Sequence, residues 1–175
     1  YKSVFLCPRF TFLPYGSKQK AFLNFPQWHL QKNTYFTVDV VGKDLVNTDS
    51  AFLEIQFDPS FIELQSNQVQ YGSFFSQDGV VPKIRTSRQK NIFSLTVSRE
   101  RKRQGMSGSG NLASVTFKTL KNGFSTIQLN KAIVMDLKQN SLSLETHDSR
   151  ITISDLGLYI QPDVPLFEVG MKKSY

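Results

Sequence analysis

The chain has 175 residues, of which 39% are hydrophobic and 20% are charged. This composition is typical of a globular domain and excludes a disordered chain, and no apolar run reaches the roughly 18 residues of a membrane-spanning helix. The net charge is +7, but one short segment carries the whole surplus, so the charge does not indicate a nucleic-acid binder.

Residue types that favour strands dominate the chain. Alanine occurs 4 times, whereas valine, isoleucine and threonine together occur 33 times and phenylalanine occurs 15 times. Because β-branched and aromatic side chains fit the pleated surface of a sheet, we expect an all-β domain. The single cysteine, Cys7, excludes an internal disulfide, and both a free thiol and an intermolecular bridge stay open.

Strands are predicted, in chain order, where apolar and polar side chains alternate. Residues 1–26 are interrupted by prolines and a glycine and are expected to be extended. The first clear alternation begins at Tyr35, and residues 42–50 are predicted to form a connection. Three later strands are predicted to bury one face each. Their inward side chains are Leu53, Ile55, Phe57, Phe93, Leu95, Val97, Ala113, Val115 and Phe117.

Turn signals separate these strands. Asp58 precedes a proline and can bond the following backbone amides, and Asn122-Gly123 is a strong turn dipeptide. Residues 99–110 are charged and rich in glycine and are predicted to be a third turn. Eight or nine short strands without an amphipathic helix are typical of a β-sandwich or a jelly roll.

No constellation of residues indicates an enzyme, a metal site or a cofactor. His29 and His147 are the only histidines, and both are expected at the surface. Residues 108–113 match the dinucleotide-binding pattern Gly-x-Gly-x-x-Ala, which requires a buried strand before it and a helix after it. A charged turn precedes this segment and an alternating strand follows it. We therefore expect no catalytic, cofactor-binding or metal-ligating residues.

The basic surplus allows two interpretations. Charged side chains protect an exposed sheet edge from pairing, or they bind an anionic partner such as an acidic polysaccharide, a membrane surface or an acidic protein. Nucleic acid is not expected, because only Phe93 supplies an aromatic ring within the segment and its alternation places it in the core. The basic residues are Lys83, Arg85, Arg88, Lys90, Arg99, Arg101, Lys102 and Arg103.

Four segments, in order and at matching spacing, resemble the cohesin family. They are a strand ending in Phe57-Asp58-Pro59, Gly-Ser-Phe-Phe at residues 72–75, Gly-x-Gly-x-Leu-Ala-x-Val-x-Phe at residues 108–117, and residues 123–129 followed by Val134-Met135-Asp136. The resemblance covers about three-quarters of the chain, from residue 22 to residue 154.

The resemblance implies a nine-stranded jelly roll with a non-catalytic role in bacteria, and an extracellular, cell-surface or periplasmic location. Cohesins bind a dockerin on one sheet face, so the expected partner is another protein, either dockerin-like or a copy of this chain. The basic segment departs from the family pattern. The expected partner-binding residues are the outward side chains of three strands: Glu54, Gln56, Ile92, Ser94, Thr96, Leu112, Ser114 and Thr116.

Two extended arms are predicted to flank the sandwich of residues 21–155. They comprise residues 1–20 and residues 156–175, and prolines exclude a helix in the second arm. Packing on the same domain and exchange with a neighbouring copy both stay open. The apolar side chains expected to drive assembly are Leu158, Ile160, Leu166, Phe167 and Val169.

The alternative function is a carbohydrate-binding module on a similar sandwich, and a sandwich-fold enzyme is a third. Carbohydrate binding requires two or three exposed, coplanar aromatic side chains. The candidates are Tyr15, Trp28, Tyr35, Tyr71 and Tyr159, with the single tryptophan expected in the core.

Overall fold

The computed structural model describes residues 18–100 and 104–155. The predicted C-terminal arm, and all but the last three residues of the predicted N-terminal arm, lie outside the described residues. A 3-10 helix at Ser73–Ser76 is the only helical element within those ranges. The strands are β1 Lys20–Asn24, β2 His29–Gln31, β3 Tyr35–Phe57, β4 Ile62–Tyr71, β5 Lys83–Gln89, β6 Ile92–Ser98, β7 Met106–Thr119, β8 Gly123–Asp136, β9 Ser141–Ser143 and β10 Asp148–Ser154.

The strands form two layers because β3 contributes to both. Its first half pairs with β1 and β7, and its second half pairs with β6 and β8. The smaller sheet therefore has the order β1-β3-β7-β4, and the larger sheet has the order β2-β10-β8-β3-β6-β5, with β9 beside β8. This arrangement confirms the predicted all-β jelly-roll sandwich.

Residues 42–50, predicted as a connection, instead form the corner at which β3 changes sheet. Asp44 and Asn47 adopt positive φ angles of 56° and 48°, which short polar side chains tolerate. Their N–H groups each donate a hydrogen bond of 2.9 Å, to Ser109 Oγ and Ser107 Oγ respectively. The prediction was wrong because register shifts against β7 keep this irregular corner inside the strand ladder.

The core prediction is confirmed, since all nine predicted inward side chains are buried. Phe117 connects the two sheets. Its ring centroid lies 5.7 Å from that of Phe36 in the first half of β3 and 5.3 Å from that of Phe57 at the end of the second half. The single core therefore lies between the two halves of one long strand.

The glycine-rich segment predicted as a turn continues as strand, because β7 begins at Met106. A glycine is required where the 3-10 helix begins beside this strand. A Cβ atom on Gly72 would lie 2.1 Å from the carbonyl oxygen of Asn111, whereas one on Gly110 would make ordinary van der Waals contact with Phe74 at 3.4 Å. The Gly-Ser-Phe-Phe and Gly-x-Gly motifs thus form one packing unit, in which Phe74 is buried.

Candidate functional site

Four neighbouring strands of the larger sheet present a continuous surface on the side away from the core. In register, Thr96 of β6, Phe52 of β3 and Ile133 of β8 lie side by side. We call this surface the outer face. Its side chains are Lys83, Arg85, Ser87, Ile92, Ser94, Thr96, Phe52, Glu54, Gln56, Gln128, Lys131, Ile133 and Met135.

The centre of the outer face is apolar. Phe52 and Ile133 are cross-strand neighbours, and both are half-buried. Ile92 and Met135 are also half-buried, towards opposite ends of the face. Apolar side chains at the centre of a patch with a polar rim are typical of protein–protein contact surfaces.

Polar side chains around this centre are held by side-chain contacts. Glu54 Oε2 lies 3.7 Å from Lys131 Nζ across the β3–β8 pair. Asn130 Nδ2 donates to Gln56 Oε1 at 2.8 Å, and Gln128 Nε2 donates to the Asp148 carboxylate at 3.0 Å. These contacts limit the conformational freedom that a partner would have to remove on binding.

Five of the eight predicted partner-binding residues lie together on the outer face: Glu54, Gln56, Ile92, Ser94 and Thr96. The other three lie on β7, which belongs to the smaller sheet. The predicted single face was wrong in this respect, because sequence alternation gives the direction of a side chain but not the sheet to which its strand belongs.

The predicted outward direction of Leu112 is wrong, because this side chain is fully buried. Val40 pairs with Ala113 and Val41 pairs with Asn111, so Leu112 is an extra residue at a β-bulge. Both it and Ala113 therefore point into the core.

Ser114 and Thr116 face away from the core but make local hydrogen bonds across the smaller sheet. The Ser114 hydroxyl donates to Asp39 Oδ1 at 2.6 Å, and the hydroxyls of Thr37 and Thr116 lie 3.0 Å apart. Thr116 is buried, contrary to the prediction, at a position where β4 bulges between Leu64 and Val69. These contacts give both residues a structural role.

The basic segment is divided by the fold. Lys83 and Arg85 lie on the outer face, whereas the Arg88 guanidinium lies 5.8 Å from the centroid of the Phe57 ring at the inner side of β5. Lys90 occupies the β5–β6 turn with a positive φ of 51°. Residues 101–103, and with them the predicted contributions of Arg101, Lys102 and Arg103, lie outside the described residues.

Arg99 contradicts the predicted exposed patch. Its side chain is 3% exposed and forms an ion pair with Asp78, and Nη1 donates to the Gln104 carbonyl at 2.9 Å. Burial follows because Arg99 comes directly after β6 and its backbone N–H is bonded to the carbonyl of Asp49 in β3. Arg99 therefore joins three chain segments and is not available to an anionic partner.

Three candidate carbohydrate-binding aromatics lie within the described residues. Trp28 is 52% exposed and packs on Phe25 with the ring centroids 5.1 Å apart, so its predicted core position is wrong. Tyr35 pairs with Lys118 on the outward side of β7, while Tyr71 pairs with buried Ala113 on the inward side. These two tyrosines therefore do not form one stacking platform. Tyr15 and Tyr159 lie outside the described residues.

Sequence reasoning missed the contribution of β8 to the outer face. Ile55 pairs with Leu129 and Glu54 with Lys131, which leaves Asn130 as an extra residue at a bulge. The alternation of β8 changes phase there, so Ile133 points outward although the preceding pattern does not indicate it. The apolar type of this outward-pointing residue is a signal in the sequence, but its position beside Phe52 is known only from the strand pairing.

Two carboxylates at turns have lowered pKa values. Hydrogen bonds from the side chain and backbone of Ser60 lower the pKa of Asp58, which confirms the predicted turn. The Asn140 side chain lowers the pKa of Asp136 in the β8–β9 turn, with help from the N–H groups of Asn140 and Lys138. Within residues 18–100 and 104–155, no group of three or more His, Cys, Asp or Glu residues could hold a metal ion.

No protein-family model matches the chain, and no curated protein matches it. Solved structures do match. A non-cellulosomal cohesin from the archaeon Archaeoglobus fulgidus has a TM-score of 0.64 at 17% identity, over 79% of this chain and 92% of that chain. The second type II cohesin module of an adaptor scaffoldin from Acetivibrio cellulolyticus has a TM-score of 0.67 at 12% identity, over 77% and 90% of the two chains.

A third match is the cohesin of a type II cohesin–X-dockerin complex from Acetivibrio cellulolyticus. It has a TM-score of 0.66 at 13% identity, over 78% of this chain and all of that chain (100%). These matches confirm that the chain has the cohesin fold. Within the part of the chain that the structure describes, no helix is long and apolar enough to cross a membrane.

Proposed function

We propose that this chain is a non-catalytic module that binds another protein on the outer face of its larger sheet. The observation that carries the proposal is the half-buried apolar pair Phe52–Ile133 at the centre of four aligned strands. The cohesin in the Acetivibrio cellulolyticus complex is bound to a dockerin. This similarity in fold supports a protein as the partner of this chain. An extracellular or cell-surface location is part of the same proposal.

The side chains of the outer face define the complementary partner. An apolar side chain is needed opposite Phe52 and Ile133, because burial of that pair supplies the hydrophobic contribution. Lys83 and Arg85 lie along the β5 side of the face, so acidic groups on the partner are expected there. Such rim charges change the association rate and its salt dependence more than they change the affinity.

Calorimetric titration with a panel of purified type I and type II dockerins tests this function. We expect at least one dockerin to bind, and Phe52→Ser to weaken that binding by at least tenfold. Val46→Ser is the matched control, because Val46 is an exposed apolar residue outside the outer face, at the corner of β3. Thermal melts of both variants establish that they are folded.

Two results would contradict the proposal. If both variants lose binding equally, or if Phe52→Ser loses none, the outer face is not the surface that binds the dockerin. Carbohydrate binding is the alternative that the exposed rings of Trp28, Tyr35 and Phe124 leave open. Specific binding on a glycan array that Trp28→Ala abolishes, with no dockerin bound, would favour that function instead.

A further inference from the structure

A cleft opens along one side of the sandwich, between an edge strand of each sheet. Among the described strands, β4 pairs only with β7 and β5 pairs only with β6, so each presents an unpaired backbone edge. The cleft has a volume of about 500 Å³ and is lined by Val69, Gln70, Tyr71, Pro82 and Ile84. Val69, Pro82 and Ile84 supply apolar parts of its walls, and Gln70 and the Tyr71 hydroxyl supply polar parts.

Side chains that should be internal are exposed at this cleft. Thr86 and Arg88 of β5 pair with Leu95 and Phe93 of β6 and share their inward direction. Leu95 and Phe93 are buried, whereas Thr86 and Arg88 are exposed, and inward-pointing Tyr71 is 39% exposed. The interior of the sandwich is therefore accessible between β4 and β5, which is where an additional strand would complete it.

We propose that residues 156–169 of the same chain bind in this cleft as an added extended strand. Leu156, Leu158 and Ile160 alternate with small or polar-tipped residues, which is the pattern of a strand with one buried face. Leu166, Phe167 and Val169 are further apolar residues in the same segment. An added strand would bond the free edge of β4 or β5 and place its apolar side chains in the cleft. This proposal is independent of the outer face.

The described end of the chain lies close enough for this segment to reach. Asn122 Nδ2 donates to the Asp155 carboxylate, and the N–H of Leu120 donates to the Phe61 carbonyl at 2.8 Å, one residue before β4 begins. The length of β4 corresponds to residues 113–119 of β7, or roughly 20 Å at the rise of a strand. An extended segment of residues 156–169 spans roughly 45 Å.

Charge favours this segment over the N-terminal one. The exposed basic side chains of β5, including Arg85 and Arg88, line the free edge. Residues 156–169 contain Asp163 and Glu168 and no basic residue, whereas residues 1–17 contain two basic residues and no acidic one. Tethering within one chain also raises the effective concentration of the segment over that of a second copy.

Disulfide trapping in the full chain tests the proposal. In a Cys7→Ser background, Ile84→Cys is combined in turn with a cysteine at Ile160, Val164, Leu166 or Val169. Mild oxidation should give an intramolecular disulfide in at least one pair, detected as a monomer of increased gel mobility. The same tail cysteines combined with Val46→Cys are the control, because Val46 is 63% exposed and outside the cleft. These control pairs should stay reduced under the same conditions.

Each remaining outcome overturns the proposal. Disulfide-linked dimers with Ile84→Cys would show that a second copy supplies the strand. Equal yields with Ile84→Cys and Val46→Cys would indicate non-specific collisions. The absence of a disulfide in all four Ile84→Cys pairs, with unchanged melting temperatures, would show that residues 156–169 do not occupy the cleft.

Discussion

Two buried side chains, Phe117 and Arg99, connect parts of the sandwich that are distant in sequence. Phe117 contacts aromatic rings in both halves of β3, so it couples the two sheets. Arg99 couples the end of β6 to the loop that carries Asp78 and to the carbonyl of Gln104. Phe117 acts through hydrophobic packing and Arg99 acts through a buried charge. Removal of the Phe117 ring therefore leaves a cavity, whereas removal of the partner of Arg99 leaves a buried charge unpaired.

Phe117→Ala should lower the free energy of unfolding by roughly 3–5 kcal/mol, because it leaves a cavity between the sheets that neighbouring side chains fill only partly. Urea unfolding of the purified chain measures the change. Phe124→Ala is the control, since Phe124 is 60% exposed and should lose less than about 1 kcal/mol. Equal losses in the two variants would contradict the central position of Phe117.

Asp78→Ala should destabilise the fold by about 2–3 kcal/mol, because it leaves the buried Arg99 guanidinium without its carboxylate partner. The comparison is Glu100→Ala, which breaks an ion pair with Lys83 in which both side chains are more than half exposed. That loss should stay below about 1 kcal/mol. If the two substitutions cost the same, Arg99 does not depend on Asp78.

The Asp58 turn should be sensitive to acid. The pKa of Asp58 is lowered from its ordinary value of 3.8, mainly by the hydrogen bond from the Ser60 hydroxyl. This hydrogen bond therefore stabilises the fold fully at pH values above 3.8, and the stabilisation is lost as the pH falls through the folded pKa. Ser60→Ala should raise the pKa of Asp58 in an NMR titration and reduce stability at neutral pH, with the difference closing in acid. Ser66→Ala, in an exposed part of β4, should leave this pKa unchanged.

At the scale of elements, β5 is a charged edge strand. It ends the larger sheet, and its exposed side chains include Lys83, Arg85 and Arg88. Like charges on a free edge oppose pairing with another chain, which is the simpler of the two interpretations that the sequence left open. Binding of an anionic partner by the same charges stays a prediction.

Exchange of Lys83 and Arg85 for glutamate should keep the fold and reduce any salt-sensitive retention on a heparin column. The expectation follows because both side chains lie on the exposed face of β5, whereas Arg99 is buried and contributes nothing. Lys43→Glu with Lys138→Glu, at two exposed positions elsewhere, is the charge-matched control. Retention that both double variants reduce equally would indicate net charge alone.

Burial could be predicted from the sequence for strands that alternate regularly, but not for strands that contain a bulge. The inward side chains of β6 and the second half of β3 follow a simple alternation, and their predicted burial is confirmed. Leu112 and Ile133 do not, because a bulge in β7 and another in β8 change the phase of the side chains. A bulge depends on the partner strand, so one strand's sequence does not reveal it.

At the scale of the whole molecule, the fold was predictable because local signals and composition agree. The Asp58 turn and the close approach of Gly72 to β7 support the cohesin resemblance that the solved structures confirm. The assignment of strands to sheets was not predictable, and for this reason the partner-binding face predicted from the sequence included three residues of β7. The outer face became visible only when the pairing placed β8 beside β3.

NMR mapping of a bound dockerin tests the central claim most directly. The isotope-labelled full chain is titrated with the dockerin that binds it most tightly, and amide shift changes are assigned to each sheet. If the dockerin binds the outer face, the largest amide shift changes should occur around Phe52, Thr96 and Ile133. Changes concentrated around Gln70 and Ser114 of the smaller sheet, or no binding by any dockerin in the panel, would contradict it.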